Sequence, residues 1–166
     1  MQSYLDALKL LDGQRMVDLL APSAVSEGAD GTPQPVDRER TVTMRGFERA
    51  MRTQWSWAVR ARHEAEITVS LREVNDFLEG LGAGVCQQTV VYSVDGGKIV
   101  RMVTKETSYT GRPYREQFAA FEAWLLTTPA ASDPTIVRDG HLLFTAASAR
   151  QLGPLLKTWR EKSGSD

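Results

Sequence analysis

The chain has 166 residues, about the length one hydrophobic core serves. Lys and Arg total 20 against 21 Asp and Glu, a formal net charge of -1, so no global field draws in phosphate backbones or anionic membranes, and neither partner is expected. The single cysteine, Cys86, excludes an internal disulfide and a multi-thiolate zinc site, and the two histidines would leave a metal centre leaning on carboxylates, so no metal and no cofactor are expected.

The apolar runs fall far below the roughly 18 residues of a membrane helix. The opening MQSYLDALKLL lacks the basic lead and small-residue cleavage site of a signal peptide, so the expected location is cytoplasmic. Within that opening, Ser3 is expected to cap a helix carrying Tyr4, Leu5, Leu8 and Leu11, which Asp12-Gly13 breaks. A second short helix runs through Met16, Val17, Leu19 and Leu20 to Ala21-Pro22. An extended piece follows at 24–27. The Gly- and Pro-bearing stretch from Gly28 to Arg40 reads as an exposed loop or splayed hairpin.

A third helix is expected after Gly46, with Phe47, Ala50, Met51, Trp55 and Ala58 on one face, ending near Arg60. From His63 to Leu71, alternation places His63, Ala65, Ile67, Val69 and Leu71 on one side of a half-buried strand. Val74 to Leu81 fits either a helical turn or a hairpin end. Val85–Val94 and Lys98–Thr107 form a long hairpin about Asp95-Gly96-Gly97, since Asp-Gly tolerates the positive φ that a tight turn demands. Beyond Gly111-Arg112-Pro113, a helix carries Phe118, Phe121, Trp124 and Leu125. A short hairpin turns at Arg138-Asp139-Gly140, and Thr145 caps a last helix with Leu152, Leu155, Leu156 and Trp159, whose tail frays after Lys162.

The segments QSYLDALKLLDGQRMVDLLAPSAVSEG and YSVDGGKIVRM resemble the opening and the closing hairpin of the nuclear transport factor two-like superfamily, in particular its SnoaL-like branch, over about residues 2 to 109. The resemblance implies an α+β fold: a curved antiparallel sheet wrapped as a cone around N-terminal helices, the cystatin-like α+β roll, with a pocket at the open end and often a homodimer. Residues 1–113 would form this domain, and residues 114–166 a helix-hairpin-helix extension packed on it or on a dimer partner. In the ketosteroid isomerase branch, the oxyanion-hole tyrosine would fall on Tyr4, the general base on Gly28 and the protonated acid on Val90, so that proton shuttle is missing. No Asp-Arg-Asp network of the epoxide hydrolase kind is placed.

The candidate catalytic groups are His63, as a base near neutral pH, Glu106, and the hydroxyl of Tyr4. Glu106 is expected to share the inward face of the last strand with Thr104. Gln88 interrupts an apolar face, and Trp55, Tyr92 and Thr104 complete the candidate ligand-binding set. Trp55 and Trp57, two apart on the expected helix, would point about 200 degrees from each other. Arg49 and Arg101 could hold a carboxylate, while Cys86 reads as inert core. The functional expectation is a small-molecule-binding protein for an apolar or aromatic ligand, with acid-base chemistry of an isomerase, cyclase or dehydratase. The alternative is a non-catalytic dimerisation or protein-interaction module whose pocket the extension closes.

Overall fold

A six-stranded sheet organises the chain, which a computed structural model describes over residues 1–28 and 31–164. Its strands are β1 (Leu20–Glu27), β2 (Pro33–Pro35), β3 (Gln54–His63), β4 (Glu66–Val74), β5 (Cys86–Asp95) and β6 (Lys98–Tyr109), in the spatial order β2-β1-β6-β5-β4-β3. All pairs are antiparallel except β1 with β6, so the sheet is mixed rather than wholly antiparallel. Bulges interrupt β3–β4 pairing and, twice, β5–β6 pairing, which bends the strands. The expected β5–β6 hairpin closes through Gly96 and Gly97, both at positive φ (53° and 79°).

Helices α1 (Gln2–Lys9) and α2 (Gly13–Asp18) lie on one face of this sheet, joined by Leu11 at positive φ. Asp12 caps α2 by accepting the Arg15 N–H. Helix α3 (Arg38–Ala50) crosses next to α2 at Gly13, where a Cβ would come within 2.8 Å of the Val42 Cα. Two arginines of α3 tie the layers together. Arg38 donates to the carbonyls of Val17, Leu20 and Ala21, and Arg49 to that of Leu11, so Arg49 serves the fold rather than a ligand.

The core has two parts. Tyr4, Leu5, Leu8 and Met16 pack on Trp55, Val69, Leu71, Val90, Tyr92 and Ile99 of the sheet. The second part joins Phe47 of α3, Met51 just after it, and Phe77 and Leu78 of α4 (Asp76–Gly80) to the C-terminal region. That region comprises α5 (Tyr114–Leu125), a 3-10 turn (Pro129–Ser132), the hairpin β7 (Val137–Arg138) and β8 (His141–Leu142), and α6 (Ala146–Ser163). It supplies Phe121, Leu125, Ile136, Leu152, Leu156 and Trp159. Thr145 caps α6 through a reciprocal capping box with Ser148.

Several local expectations are corrected. Ser3 is not the first cap, because α1 already starts at Gln2 behind Met1. The third helix begins at Arg38, not after Gly46, since Asp37 accepts the Arg40 N–H and starts it earlier. Gly46 lies inside α3, where its missing side chain brings α6 close: a Cβ there would sit 3.5 Å from that of Ala146. The helix also stops before Trp55: residues 54–63 are strand, pairing residue by residue with β4. Val74–Leu81 resolves into the end of β4 and α4, capped by Asn75 accepting the Leu78 N–H. Within the expected 28–40 loop, residues 29 and 30 lie outside the described residues, as do 165 and 166 of the expected frayed tail.

Candidate functional site

Alternation along the strands decides which side chains enter the cone. On the inner face, Trp55 and Trp57 come from β3 and Val69, Leu71 and Glu73 from β4. Cys86, Gln88, Val90 and Tyr92 of β5 lie beside Met102 and Thr104 of β6. Between these residues and α1 and α3 is a hollow of about 200 Å³. Tyr4, Arg45, Trp55, Gln88, Tyr92 and Thr104 supply its polar or aromatic wall, and Leu8, Met16, Leu71 and Val90 its aliphatic one.

The structure thus brings Tyr4, Trp55, Gln88, Tyr92 and Thr104 together. It places the other two candidates elsewhere. His63 is the exposed last residue of β3, at the hairpin into β4, and not the first residue of an inward-facing strand. Glu106 pairs with Thr89 whereas Thr104 pairs with Val90. The bulge at Lys105 therefore reverses the alternation and turns Glu106 to the outer face, where it is exposed. There it borders a groove of about 360 Å³ with Ser56, Arg60, Arg72 and Gln87. Arg101 is also outside, paired with Glu27. Trp55 and Trp57, expected on opposite sides of a helix, share one face of a strand because strand side chains repeat every second residue.

Three charged residues of the interior escaped the sequence reading: Arg45, Glu48 and Glu73. Arg45 and Glu48 are three apart on α3 and form an ion pair of 2.6 Å, with side chains 13% and 7% exposed. The Trp55 indole N–H donates to the other Glu48 oxygen at 3.2 Å. Among the described residues, Arg45 Nε and Nη1 are buried without a hydrogen-bond partner. Glu73 accepts from the Asn75 amide at 2.6 Å. Burial pushes the Glu73 carboxyl up to about 7, helped by the Glu48 charge and opposed by Arg45 and the Asn75 bond. Burial also raises Glu48, against the pull of Arg45 and the Trp55 bond.

The two tyrosines stay protonated. Burial lifts Tyr4 to about 12 and Tyr92 further still, and their rings meet at 5.7 Å. Among the described residues, the Tyr4 hydroxyl reaches the Met102 sulfur at 3.5 Å, a weak acceptor that a ligand oxygen can replace. Gln88 is similarly undercommitted, with its amide 3.7 Å from Cys86 Sγ. Burial raises the Cys86 thiol, which disfavours the reactive thiolate. No carboxylate or imidazole lines the hollow among the described residues, and none of their His, Cys, Asp and Glu side chains form a group of three suited to a metal. Nor is any helix among them long and apolar enough to cross a membrane.

No protein-family model matches the sequence, and no curated protein does. Solved structures are similar. An uncharacterised cystatin-fold protein from Novosphingobium aromaticivorans aligns with a TM-score of 0.50 at 14% identity, over 62% of this chain and 92% of its own. The architecture is the cystatin-like cone. Two further structures align at lower scores. One is an NTF2-like protein of unknown function from Cytophaga hutchinsonii, with a TM-score of 0.48, 10% identity and coverage of 70% of this chain and 89% of its own. The other, from Catenulispora acidiphila, has a ketosteroid isomerase-like fold and contains trimethylamine. Its TM-score is 0.47 at 14% identity, over 62% of this chain and 81% of its own. The resemblance drawn from residues 2 to 109 leads to this same fold.

Proposed function

We propose that the cone hollow receives a small, mainly apolar or aromatic molecule and holds an acceptor oxygen of that molecule against Arg45. The observation that carries this reading is the guanidinium itself. Its Nε and Nη1 are buried without a partner in a wall otherwise built of aromatic and aliphatic side chains. Unmet buried donors are costly, more so on a charged group, and a ligand oxygen removes that cost. Tyr4 and Gln88 are further donors, while Trp55, Tyr92 and Thr104 shape the cavity. The volume lies below the roughly 300 to 1,000 Å³ of drug-sized sites, so the ligand is compact.

Binding rather than proton abstraction is the activity these walls support, because the positions where an isomerase-type base and acid would fall hold Gly28 and Val90. The reading with a plugged pocket finds less support. Phe144 packs on Phe47, Phe77 and Phe118, and Trp159 on Phe121, in the second part of the core, and neither lines the hollow. The test is saturation-transfer NMR with acetophenone, a compact aromatic ketone, on wild type and on Ser26→Leu, which fills the hollow from β1. Saturation transfer to the ketone in wild type, and its loss in the folded variant, is the expected result. Equal transfer in both, or none in wild type at millimolar ketone, would overturn the reading.

A further inference from the structure

The charge around Arg45 decides more than the presence of a ligand. An arginine in a cavity wall ordinarily invites a carboxylate. Here the guanidinium already carries its counter-charge: Glu48 Oε1 lies 2.6 Å from Nη2, on the same helix and itself almost fully buried. The Trp55 indole N–H, part of the cavity wall, fixes the other carboxylate oxygen. Glu73 adds a second acid to this interior, close enough to Glu48 for their charges to interact. A buried Arg-Glu pair is neutral as a unit, yet Arg45 retains N–H donors at Nε and Nη1. Such a unit offers hydrogen bonds without offering net positive charge. A carboxylate entering the hollow would give the interior an uncompensated negative charge in a poorly solvated place, a cost that a neutral carbonyl does not meet.

We infer that Glu48 is a specificity-determining residue: paired with Arg45 behind the cavity wall, it makes the hollow select an uncharged carbonyl compound over the isosteric carboxylate. The inference rests on the ligand-binding reading above. Glu48 does not touch the ligand in this account. It acts by cancelling the charge of Arg45 and by holding the guanidinium and the Trp55 indole in place.

The experiment compares benzamide with benzoate, nearly identical in shape, by ligand-observed NMR titration at pH 8 on the full chain and on Glu48→Gln. Wild type is expected to bind benzamide at least tenfold more tightly than benzoate. In Glu48→Gln one of the two acids beside Arg45 is removed and Glu73 alone balances it, so the interior no longer carries excess negative charge at pH 8 and the ratio is expected to shift toward benzoate by tenfold or more. A wild-type preference for benzoate, equal affinities in wild type, or a ratio unchanged in the folded variant would each overturn the inference while leaving the binding site in place. If neither compound binds wild type, the ligand-binding reading fails, and the inference with it. Should Glu48→Gln not fold, Glu48→Asp, which draws the charge one methylene away from Arg45, is expected to move the ratio the same way by a smaller factor, and an unchanged ratio there would overturn the inference.

Discussion

Below pH 4.5 Glu73 holds its proton in both the folded and the unfolded chain, and between there and about pH 7 the unfolded chain ionises it while the folded chain resists. The unfolded state therefore binds fewer protons in this window, and stability falls as pH rises through it. The contribution is complete below pH 4.5 and gone above pH 7. At about 1.4 kcal/mol per pH unit the difference amounts to at most about 3.5 kcal/mol. Glu73→Gln keeps an acceptor for the Asn75 amide and removes the ionisation. Urea unfolding of the variant should depend less steeply on pH between 5 and 8 than that of wild type, with a gain over wild type at pH 8 of about 1 to 3 kcal/mol. A variant as pH-dependent as wild type would show that Glu73 is not the group titrating.

Glu73 was readable in principle. It continues the alternation of Ile67, Val69 and Leu71, and only the early end assigned to that strand hid it. Arg45 and Glu48 were less so. Placing the helix start after Gly46 removed Arg45 from it, and nothing in a Glu beside Phe47 announces that it is buried. Tyr4, Gln88, Tyr92 and Thr104 were legible because aromatic and polar residues on an otherwise apolar strand or helix face have one place to go. Trp55 faces the hollow, but from a strand rather than from the expected helix.

Among the elements, hairpins with glycine turns were the most legible, since Gly96-Gly97 and Asp139-Gly140 impose local geometry that tertiary packing does not override. The third helix and β3 were not. The spacing of Phe47, Met51 and Trp55 fits a helical stripe, but β3 is set by pairing with β4 and by packing of Trp55 under α1, both non-local contacts. The bulge at Lys105 is likewise invisible locally, and it alone moves Glu106 from the inside of the cone to the outside. The join between β6 and α5 depends on one residue in the same hidden way. A Cβ on Gly111 would meet the Gly82 carbonyl oxygen at 2.3 Å and the Ala83 carbonyl carbon at 2.9 Å, both backbone atoms that cannot swing aside. Gly111→Ala should therefore cost about 2 kcal/mol or more, the scale of a forced backbone shift, measured by thermal or urea unfolding. A cost below about 0.5 kcal/mol, the scale of a neutral surface change, would show that the approach is looser than described.

At the scale of the whole molecule, α3 lies between the cone hollow, toward which it turns Arg45, and the C-terminal region, toward which it turns Phe47. Phe47 and Met51 are covered by Phe121, Ile136, Leu152 and their neighbours, and Gly46 and Gly80 allow α6 to lie close to α3 and α4. The sequence showed that the aromatic and aliphatic residues after position 113 must be buried. It could not show against what, because that packing joins elements far apart in the chain. A chain cut after Pro113 would expose this half of the core, and it is expected to aggregate or to lack a cooperative unfolding transition in circular dichroism. A soluble fragment with a sharp melt would mean that the cone folds independently of the C-terminal region.

The two halves of the core leave the hollow to the cone alone, walled by α1, α3 and the sheet. The most direct test is to titrate acetophenone into ¹⁵N-labelled protein and follow the indole N–H of Trp55, which lines the hollow and is bonded to Glu48. The Trp55 signal is expected to shift progressively and saturably, together with the amides of Ser26 and Thr104. Shifts confined to the outer face around Ser56, Arg60 and Gln87, or no saturable shift at all, would contradict the assignment of the cone interior as the ligand site.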